Sequence, residues 1–396
     1  MHPRTAALAA LLACALAHPA RAQLASLTPP SGAVGSLRLA AAVDSIARRA
    51  MRDQSIPGLS VAIVKDGRTV LERGWGTERA KRPKAATAAT SYQIASISKQ
   101  FTAAAVLRLA EEGRLRLGDP VTDYVDGLPA AYRDVTLERL LNHTAGVPNF
   151  TDFFREFRHP LSPAQLVDSL AKRRLIFAPG TAFRYSNSGY YLLGLVIERV
   201  TGEAYDAYLQ RQFWAPLGMR ETEYCGSRDH KPLPEGWARD RRGGAVRAAP
   251  WDPSVLFAAG SLCSTAGDLA RWTVALGEGR VLTPASYREM TTPAASPDPH
   301  LRMTYGFGMM VDTTDAGPYL HHDGAVSGFR AQVAWYPAEH LAVVVLMNQG
   351  LAAPEPIERD LARAVLGTAP REPRLAGPPP AASPRTAVGS FPFPWQ

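Results

Sequence analysis

One stretch of this sequence constrains the fold more than any other: it runs from residue 92 to residue 109 and is apolar almost without break after Phe101. Between Ile97 and Leu107 its polar residues all fall in the first turn and a half: Ser98, Lys99, Gln100 and Thr102. A helix that is apolar nearly all round lies inside a domain rather than on its surface. Gly113 then supplies a C-terminal stop. The pattern predicts a buried helix that begins at Ser96, with its polar groups gathered at the N-terminal end.

The first turn of this helix carries a candidate nucleophile and a candidate base. Ser96 and Lys99 are three residues apart, which places both side chains on one face. A serine hydroxyl needs a neighbouring base before it attacks a carbonyl, and a desolvated lysine can serve as that base. Backbone N–H groups at a helix N-terminus also favour developing negative charge. Because Ser-x-x-Lys is common on solvated surfaces, the inference depends on the buried helix and on two further motifs.

The second motif is Tyr185-Ser186-Asn187, which follows a Pro-Gly turn and precedes a helical pattern. Tyr185 and Asn187 are two residues apart on a loop, so both can point into one cleft. A tyrosine near a lysine can be held as a phenolate or can shuttle a proton, and Asn187 offers a donor and an acceptor to a substrate amide. The alternative is a packed tyrosine with Asn187 as a helix N-cap, which the motif alone favours.

The third motif, His322-Asp323-Gly324-Ala325, lies on and just after a predicted strand. Gly324 permits a ligand to approach the strand backbone closely, and N–H groups there can help to form an oxyanion hole. His322 can donate to a carboxylate or relay a proton. The alternatives are a metal pair with His321 or a solvated strand end. Adjacent strand residues face opposite ways, which disfavours a shared metal.

Strand patterns occur at both ends of the chain and helical patterns between them. Residues 59–64 and 69–75 form a predicted hairpin around an Asp-Gly turn, and the last of four C-terminal strands, 341–347, is predicted to be buried on both faces. The segment from about 114 to 259 is helical in pattern. One sheet built from both chain ends, with an inserted helical lobe, follows from this order. The central helix then lies at the seam, where sites commonly form.

The two ends of the chain are predicted to lie outside the folded domain. Residues 1–22 have the pattern of an export signal with a small-x-small cleavage site at 20–22, and their apolar run is too short to span a bilayer. A lipoprotein signal at Cys14 is a weaker alternative because apolar residues continue past it. The folded domain is placed at 23–367 and a disordered Pro-rich tail at 368–396. We expect an exported bacterial protein, periplasmic or secreted.

Charge and cysteine content bear on binding partners, metal sites and disulfide bonding. The formal net charge is +8, but the basic residues are scattered, so a nucleic-acid partner is not indicated. No Cys/His grouping has the spacing of a zinc site. Removal of the signal leaves Cys225 and Cys263, which are predicted to form a disulfide in an oxidising compartment, with two separate buried thiols as the alternative.

The three motifs stand in the order found in the serine β-lactamase and penicillin-binding-protein-like superfamily. They are Ser96-Ile97-Ser98-Lys99, Tyr185-Ser186-Asn187 and His322-Asp323-Gly324. Over residues 42–366 the chain resembles the branch that contains class C β-lactamases, DD-peptidases and esterases. The resemblance implies an α/β (α+β) fold whose mixed, mainly antiparallel sheet is flanked by helices. It also implies chemistry without a cofactor or a metal.

The resemblance assigns catalytic roles to three residues. Ser96 becomes the acylated nucleophile and Lys99 its base. Tyr185 becomes a base or a proton shuttle, also for the water that removes the acyl group.

Other residues are assigned to substrate binding. Asn187 is expected to orient the substrate amide, and the backbone N–H groups of Ser96 and Ala325, beside Gly324, to form the oxyanion hole. His322 stands where true class C β-lactamases usually have a lysine. His143 belongs to a stretch that looks structural and is left outside the site.

Two departures from class C β-lactamases shift the expected chemistry. With an ordinary pKa of about 6.5, His322 is expected to be mostly neutral at pH 7 and to anchor a carboxylate only when protonated, across roughly pH 5–8. Ser186 stands where alanine is usual. We therefore expect an exported serine hydrolase that forms an acyl-Ser96 intermediate on a small-molecule or peptide substrate, a D-amino-acid peptide, an ester or a β-lactam. A slowly deacylating penicillin-binding or sensor protein and a true class C β-lactamase are the alternatives, and the oligomeric state stays open.

Overall fold

The computed structural model of this protein describes residues 31–79, 83–226, 232–239, 244–294, 304–314 and 317–367. The predicted export signal and the predicted Pro-rich tail lie outside the described residues. By internal contacts the chain divides into Met1–Arg38 and Leu39–Gln396. In the first unit the described residues, from Ser31 onward, are helical. The sheet, the core and the candidate site all belong to the second unit.

Within the described residues the largest sheet has seven strands in the order β3-β2-β1-β12-β11-β10-β9, and every neighbouring pair is antiparallel. The N-terminal strand β1 pairs with β12 from the C-terminal end, so the sheet is built from both ends of the chain. This confirms the predicted fold class. The strands are β1 (Gly58–Lys65), β2 (Arg68–Arg79), β3 (Lys84–Ala85), β4 (Tyr92–Gln93), β5 (Glu223–Tyr224), β6 (Trp237–Arg239), β7 (Ala245–Arg247), β8 (Leu262–Ser264), β9 (Met310–Thr314), β10 (Gly317–Val326), β11 (Phe329–Tyr336) and β12 (Leu341–Met347).

Helices cover both faces of this sheet. They are α1 (Ser31–Gln54), α2 (Ser98–Glu111), α3 (Leu137–Leu141), α4 (Pro163–Ala171), α5 (Asn187–Thr201), α6 (Tyr205–Leu209), α7 (Ala215–Leu217), α8 (Pro253–Leu256), α9 (Ala266–Gly277), α10 (Pro284–Thr291) and α11 (Pro354–Leu366). Among the helices of the described residues, none has the length and apolar character that crossing a bilayer requires.

Burial along β12 explains the two-layered core. All seven residues of β12 are buried, as its uninterrupted apolar sequence predicts. One face, which includes Val345, belongs to a core with Val43 of α1 and Leu361 of α11. The other face, which includes Val344, belongs to a larger core that contains most of α2 and α5. The central helix therefore lies inside the domain, as its sequence predicts.

Three details of the elements differ from the sequence expectation. The α-helix begins at Ser98 rather than at Ser96, because a 3₁₀ turn, Ala95–Ile97, precedes it. The first of the four C-terminal strands, which the sequence pattern predicts over 305–311, is β9 at Met310–Thr314. Helix α10 was not predicted, although Thr283 accepts a hydrogen bond from the Ser286 N–H and a proline follows at its first position, which is a standard helix start.

Cys225 and Cys263 form a disulfide in the structure. Cys263 lies in β8, which pairs on one side with β4 and on the other with β5, the strand just before Cys225. The bridge therefore fastens a small three-stranded sheet whose strand β4 leads directly into the turn at residue 96.

Glu358 of α11 is buried against the opposite face of the large sheet from α2. Its carboxyl group accepts hydrogen bonds from the hydroxyls of Tyr319 and Tyr336, at 2.9 and 2.8 Å. Burial raises the pKa of Glu358 to about 7, although these hydrogen bonds and the nearby His321 and Arg359 work in the opposite direction. The side chain is thus half-protonated near neutral pH in the folded state.

We expect Glu358 to make the free energy of unfolding fall as the pH rises. The folded-state pKa lies above the ordinary value of 4.5, so between about pH 4.5 and 7 the folded protein holds a proton that the unfolded chain releases. Over that window Glu358 should cost up to roughly 3 kcal/mol of stability. Denaturant unfolding of Glu358→Gln should lack this decline, whereas Glu355→Gln, half-buried on the same helix, should retain it. Equal pH dependence in wild type and Glu358→Gln would contradict the expectation.

Candidate active site

Ser96 is presented by a tight turn between β4 and α2. Ala95 adopts φ of +47°, a left-handed conformation that is unfavourable for a residue with a side chain. The 3₁₀ turn leaves Ala95 and Ile97 buried while Ser96 is half-buried. The turn therefore holds the Ser96 hydroxyl at the open end of a buried helix, where a substrate can reach it.

Lys99 is fully buried one turn further on. Its Nζ lies 3.1 Å from Ser96 Oγ, 2.8 Å from Asn187 Oδ1 and 2.7 Å from the carbonyl oxygen of Ala259. Burial lowers the pKa of Lys99 well below its ordinary value, against an opposing effect of Asp323. A neutral amine has two hydrogens and one lone pair. When the two carbonyl oxygens take the hydrogens, the lone pair faces the Ser96 hydroxyl.

Tyr185 lies on the other side of Ser96. Its hydroxyl is hydrogen-bonded to Ser96, and Lys99 Nζ lies 4.7 Å from the centre of its ring. Burial raises the pKa of Tyr185 well above its ordinary value, and the hydrogen bond only partly offsets this. The structure therefore favours a neutral phenol. Of the two roles that the sequence left open, a proton shuttle fits this state and a standing phenolate does not.

Asn187 is the first residue of α5 and not its N-cap, so the alternative role considered for it is wrong. Its side-chain oxygen is held by Lys99, and its backbone N–H donates to Asn149 Oδ1 at 3.0 Å. The side-chain NH₂ group of Asn187 is the part available to a substrate.

Gly324 fixes the third motif against the serine turn. A Cβ atom at Gly324 would lie only 2.2 Å from the carbonyl oxygen of Ile94, so only glycine allows β10 to pack against this turn. Ala325 is the next residue along β10, half-buried, beside the turn that carries Ser96. The structure thus brings the three sequence motifs together around one hydroxyl. The assignment of the Ala325 N–H to an oxyanion hole stays a prediction.

His322 does not have the environment that the sequence suggested. It is only 1% exposed; its Nε2 lies 3.0 Å from the Tyr305 hydroxyl, and its Nδ1 hydrogen-bonds to the carbonyl oxygen of Asp323. Burial is the main cause that lowers the pKa of His322 to about 3. This lowered pKa disfavours the expectation that His322 titrates across pH 5–8, because that expectation used the pKa of a solvated imidazole.

The two histidines face opposite sides of the sheet, as strand geometry predicts. His321 Nε2 lies 2.9 Å from Asp312 Oδ2, and its ring stacks on Tyr319 at 4.3 Å. Within the residues that the structure describes, no three His, Cys, Asp or Glu side chains are grouped as a metal site requires.

His143 contacts the site although the sequence analysis left it out. Its buried ring lies 4.3 Å from that of Tyr185 and 4.7 Å from that of Tyr305, and its Nδ1 accepts a hydrogen bond from the Ser186 N–H at 3.2 Å. His143 therefore positions the loop that carries Tyr185. The backbone of His143 has a φ of +61°, which is unusual for a histidine. In the sequence the only signal at this position is the Asn-His-Thr triplet.

The fold and the three motifs together define the class. A mainly antiparallel sheet flanked by helices, with Ser-x-x-Lys at a buried helix, is the arrangement of the serine β-lactamase and penicillin-binding-protein superfamily. The sequence model of the beta-lactamase family matches residues 43–368. The chain belongs to the beta-lactamase family.

Similar proteins span several activities. Protein flp of Staphylococcus aureus is 27% identical over 322 residues, a match that covers 77% of this chain and 62% of flp; this chain thus spans less than two thirds of that relative's length. The octameric penicillin-binding protein homologue from Pyrococcus abyssi has a TM-score of 0.74 and 27% identity, covering 84% of this chain and 78% of that one. The D-stereospecific amidohydrolase from Streptomyces sp. has a TM-score of 0.68 and 26% identity, covering 86% and 100%.

We expect the ring of His322 to stay neutral from pH 5 to pH 8. Its ¹⁵N ring resonances, identified by their loss in His322→Gln, should keep the shifts of a neutral imidazole throughout this range. A midpoint inside the range would mean that the ring is solvated, and would restore the idea of a protonated anchor.

Proposed function

We propose that this protein is a serine hydrolase that cleaves an amide or an ester through an acyl intermediate on Ser96. The observation that carries the proposal is the state of Lys99. It is fully buried, its pKa is lowered, and its Nζ is 3.1 Å from Ser96 Oγ. Burying a lysine is costly, and a nucleophile with a base in hydrogen-bond reach is the signature of covalent catalysis.

In the first step Ser96 Oγ attacks the carbonyl carbon while Lys99 Nζ accepts the hydroxyl proton. The backbone N–H groups of Ser96 and Ala325 stabilise the oxyanion. The Tyr185 hydroxyl gives its proton to the leaving amine or alcohol and regains one from the Lys99 ammonium. The products of this step are an acyl-Ser96 ester and a neutral leaving group.

In the second step a water molecule attacks the acyl-Ser96 ester. Tyr185 relays the proton that the water loses to Lys99, and Ser96 Oγ takes that proton from the Lys99 ammonium as it departs, which releases the free acid and restores the neutral site. Neither step requires a permanent charge on Tyr185, which is consistent with its raised pKa.

Asn187 orients the substrate, because its NH₂ group can donate a hydrogen bond to the carbonyl oxygen of a substrate amide. His322 acts in this proposal as a buried support of the site, because its neutral ring is hydrogen-bonded to the Tyr305 hydroxyl. A neutral histidine gives no fixed positive charge to a substrate carboxylate. That disfavours an efficient β-lactamase and favours a peptidase-like or esterase-like hydrolase.

The similar proteins support the same range of substrates. One is a D-stereospecific amidohydrolase and another a penicillin-binding protein homologue. We therefore propose D-amino-acid amides or peptides, or esters, as substrates. A slowly deacylating penicillin acceptor is the second candidate, because its first step uses the same Ser96–Lys99 pair.

We also propose that the protein works outside the cytoplasm. The signal pattern at residues 1–22 and the Cys225–Cys263 disulfide support export to the periplasm or the medium. In this proposal residues 23–367 form the hydrolase domain, with the helical lobe at about 114–259, and the Pro-rich residues 368–396 follow it in sequence.

Ser96→Ala should abolish acylation and turnover without unfolding the protein, since the hydroxyl lies at a helix end and outside the core. Lys99→Met should lower kcat/KM at least about a thousandfold, because the serine loses its base and the charge-free chain still fills the site. The losses should be far from additive in the double variant. Turnover of p-nitrophenyl butyrate measures the loss of activity, and near-ultraviolet circular dichroism shows whether each variant keeps its fold.

Intact-protein mass separates the two candidate functions. A transient adduct with p-nitrophenyl butyrate or benzylpenicillin, followed by product release, identifies a hydrolase, and a lasting adduct identifies an acceptor. Near wild-type hydrolysis by Ser96→Ala would refute the acyl-Ser96 route.

The lowered pKa of Lys99 sets the expected pH profile. As a base, Lys99 must be neutral in the free enzyme, so activity is present above its folded-state pKa and is lost as the pH falls through it. For a neutral ester, kcat/KM measured from pH 4 to 10 should reach its plateau well below pH 10.5, the ordinary pKa of a lysine. A profile that still rises toward pH 10 would mean that Lys99 is an ammonium at neutral pH and would contradict the base assignment.

A further inference from the structure

A cavity of about 420 Å³ opens beside the candidate active site. One of its walls is formed by Val326, Ser327 and Gly328, which follow Ala325 directly along the chain. An opposite wall includes Thr151. Thr151 Oγ1 accepts a hydrogen bond from Asn149, the residue that also holds the backbone N–H of Asn187.

The cavity therefore adjoins the catalytic residues from two sides. An extended strand advances about 3.3 Å per residue, so Ser327 lies within about 7 Å of Ala325 along the chain. Asn149 links the second wall to Asn187 by side-chain hydrogen bonds at 2.6 and 3.0 Å. An acyl group that extends from Ser96 along β10 past Ala325 would enter this cavity.

The position of Tyr185 indicates which part of the substrate enters the cavity. In the proposed mechanism Tyr185 protonates the leaving group, and its ring lies 6.4 Å from that of His322. His322 precedes Ala325 on β10, and Val326 follows it. The leaving group thus lies toward His322, and the acyl group extends the other way, toward Val326 and the cavity.

The described lining combines an apolar surface with positive charge. Phe157 and Trp251 stack at 4.4 Å with their planes 20° apart, and Phe154 is beside them. The same lining contains Arg155 and Arg239, both exposed, and among its described residues no acidic side chain.

Acidic residues of the neighbouring loop are paired with other arginines. Asp152 Oδ2 is 2.9 Å from Arg184, and Glu156 Oε2 is 3.2 Å from Arg158. Arg239 donates a hydrogen bond to the neutral hydroxyl of Ser55 at 3.2 Å.

From this geometry we propose that the cavity is the acyl-side binding site, and that it selects acyl groups with an aromatic or apolar body and an anionic end. The apolar body packs against the stacked Phe157 and Trp251, and the anionic end lies between Arg155 and Arg239, since guanidinium groups bind carboxylates well. The inference rests on the proposed function and adds a substrate class to it.

The test compares 4-nitrophenyl esters of three acids: phenylacetic acid, its 4-carboxy derivative and its 4-trimethylammonio derivative. In the wild type, kcat/KM should be highest for the carboxylate and lowest for the cation. In Arg155→Gln/Arg239→Gln, the ratio of kcat/KM for the carboxylate to that for the neutral ester should fall about three- to tenfold, the range expected for two solvent-exposed charges. Added salt should lower the wild-type ratio and leave the double variant's ratio nearly constant.

Two controls locate the effect. Arg174→Gln, which removes an exposed charge outside the cavity lining, should keep the wild-type ratio. For 3-carboxy-4-nitrophenyl phenylacetate, which carries the charge on the leaving group, the ratio to the neutral ester should not depend on Arg155 and Arg239. If the two arginines affected the ester with the carboxylate on its leaving group, and not the ester with the carboxylate on its acyl group, the acyl-side placement would be overturned.

The failure of this inference is distinct from that of the proposed function. If the neutral ester is hydrolysed in a Ser96-dependent manner but the double variant keeps the wild-type ratio, the anionic selectivity is wrong and the hydrolase assignment stands. If the wild type hydrolyses none of the esters and forms no acyl adduct, the proposed function fails and the inference falls with it.

Discussion

The burial of one lysine is the constraint on which the rest of the site depends. An ammonium in an apolar interior is costly unless it is paired, and the neighbours of Lys99 are mainly neutral oxygens. Two of them come from distant segments, Asn187 at the start of α5 and Ala259 in the short helix Phe257–Ala259. These segments must be in place before the amine is held as a neutral base facing Ser96, so the catalytic state is a property of the assembled core.

The antiparallel sheet supplies the second half of the site. Strand β10 approaches the serine turn so closely that Gly324 cannot carry a side chain, because Ile94 occupies that space. The same strand places His322 under the site and the residues after Ala325 along the cavity wall. This one strand therefore carries three features of the site. They are the hydrogen bond between His322 and Tyr305, the backbone beside Ser96, and the residues that begin the wall of the proposed acyl site. Strand alternation keeps His321 on the other face, against Tyr319.

Neutral groups dominate the centre of this site. Burial lowers the pKa of Lys99 and of His322 and raises that of Tyr185, so each group avoids a charge in an apolar setting. The catalytic groups therefore start each turnover uncharged. Positive charge is found instead at the rim of the cavity, on Arg155 and Arg239, where water still reaches it.

The sequence by itself determined the local features of this protein. Periodicity identified the buried helix and the fully buried strand β12, and spacing identified the pairs Ser96–Lys99 and Tyr185–Asn187, because both signals depend on residues close together in the chain. Tertiary structure decided what depends on distant segments: the protonation state of His322, the contact of His143 with Tyr185, and the walls of the cavity. A pKa and a cavity are set by neighbours in space, and these come from strands and loops whose approach no local pattern records.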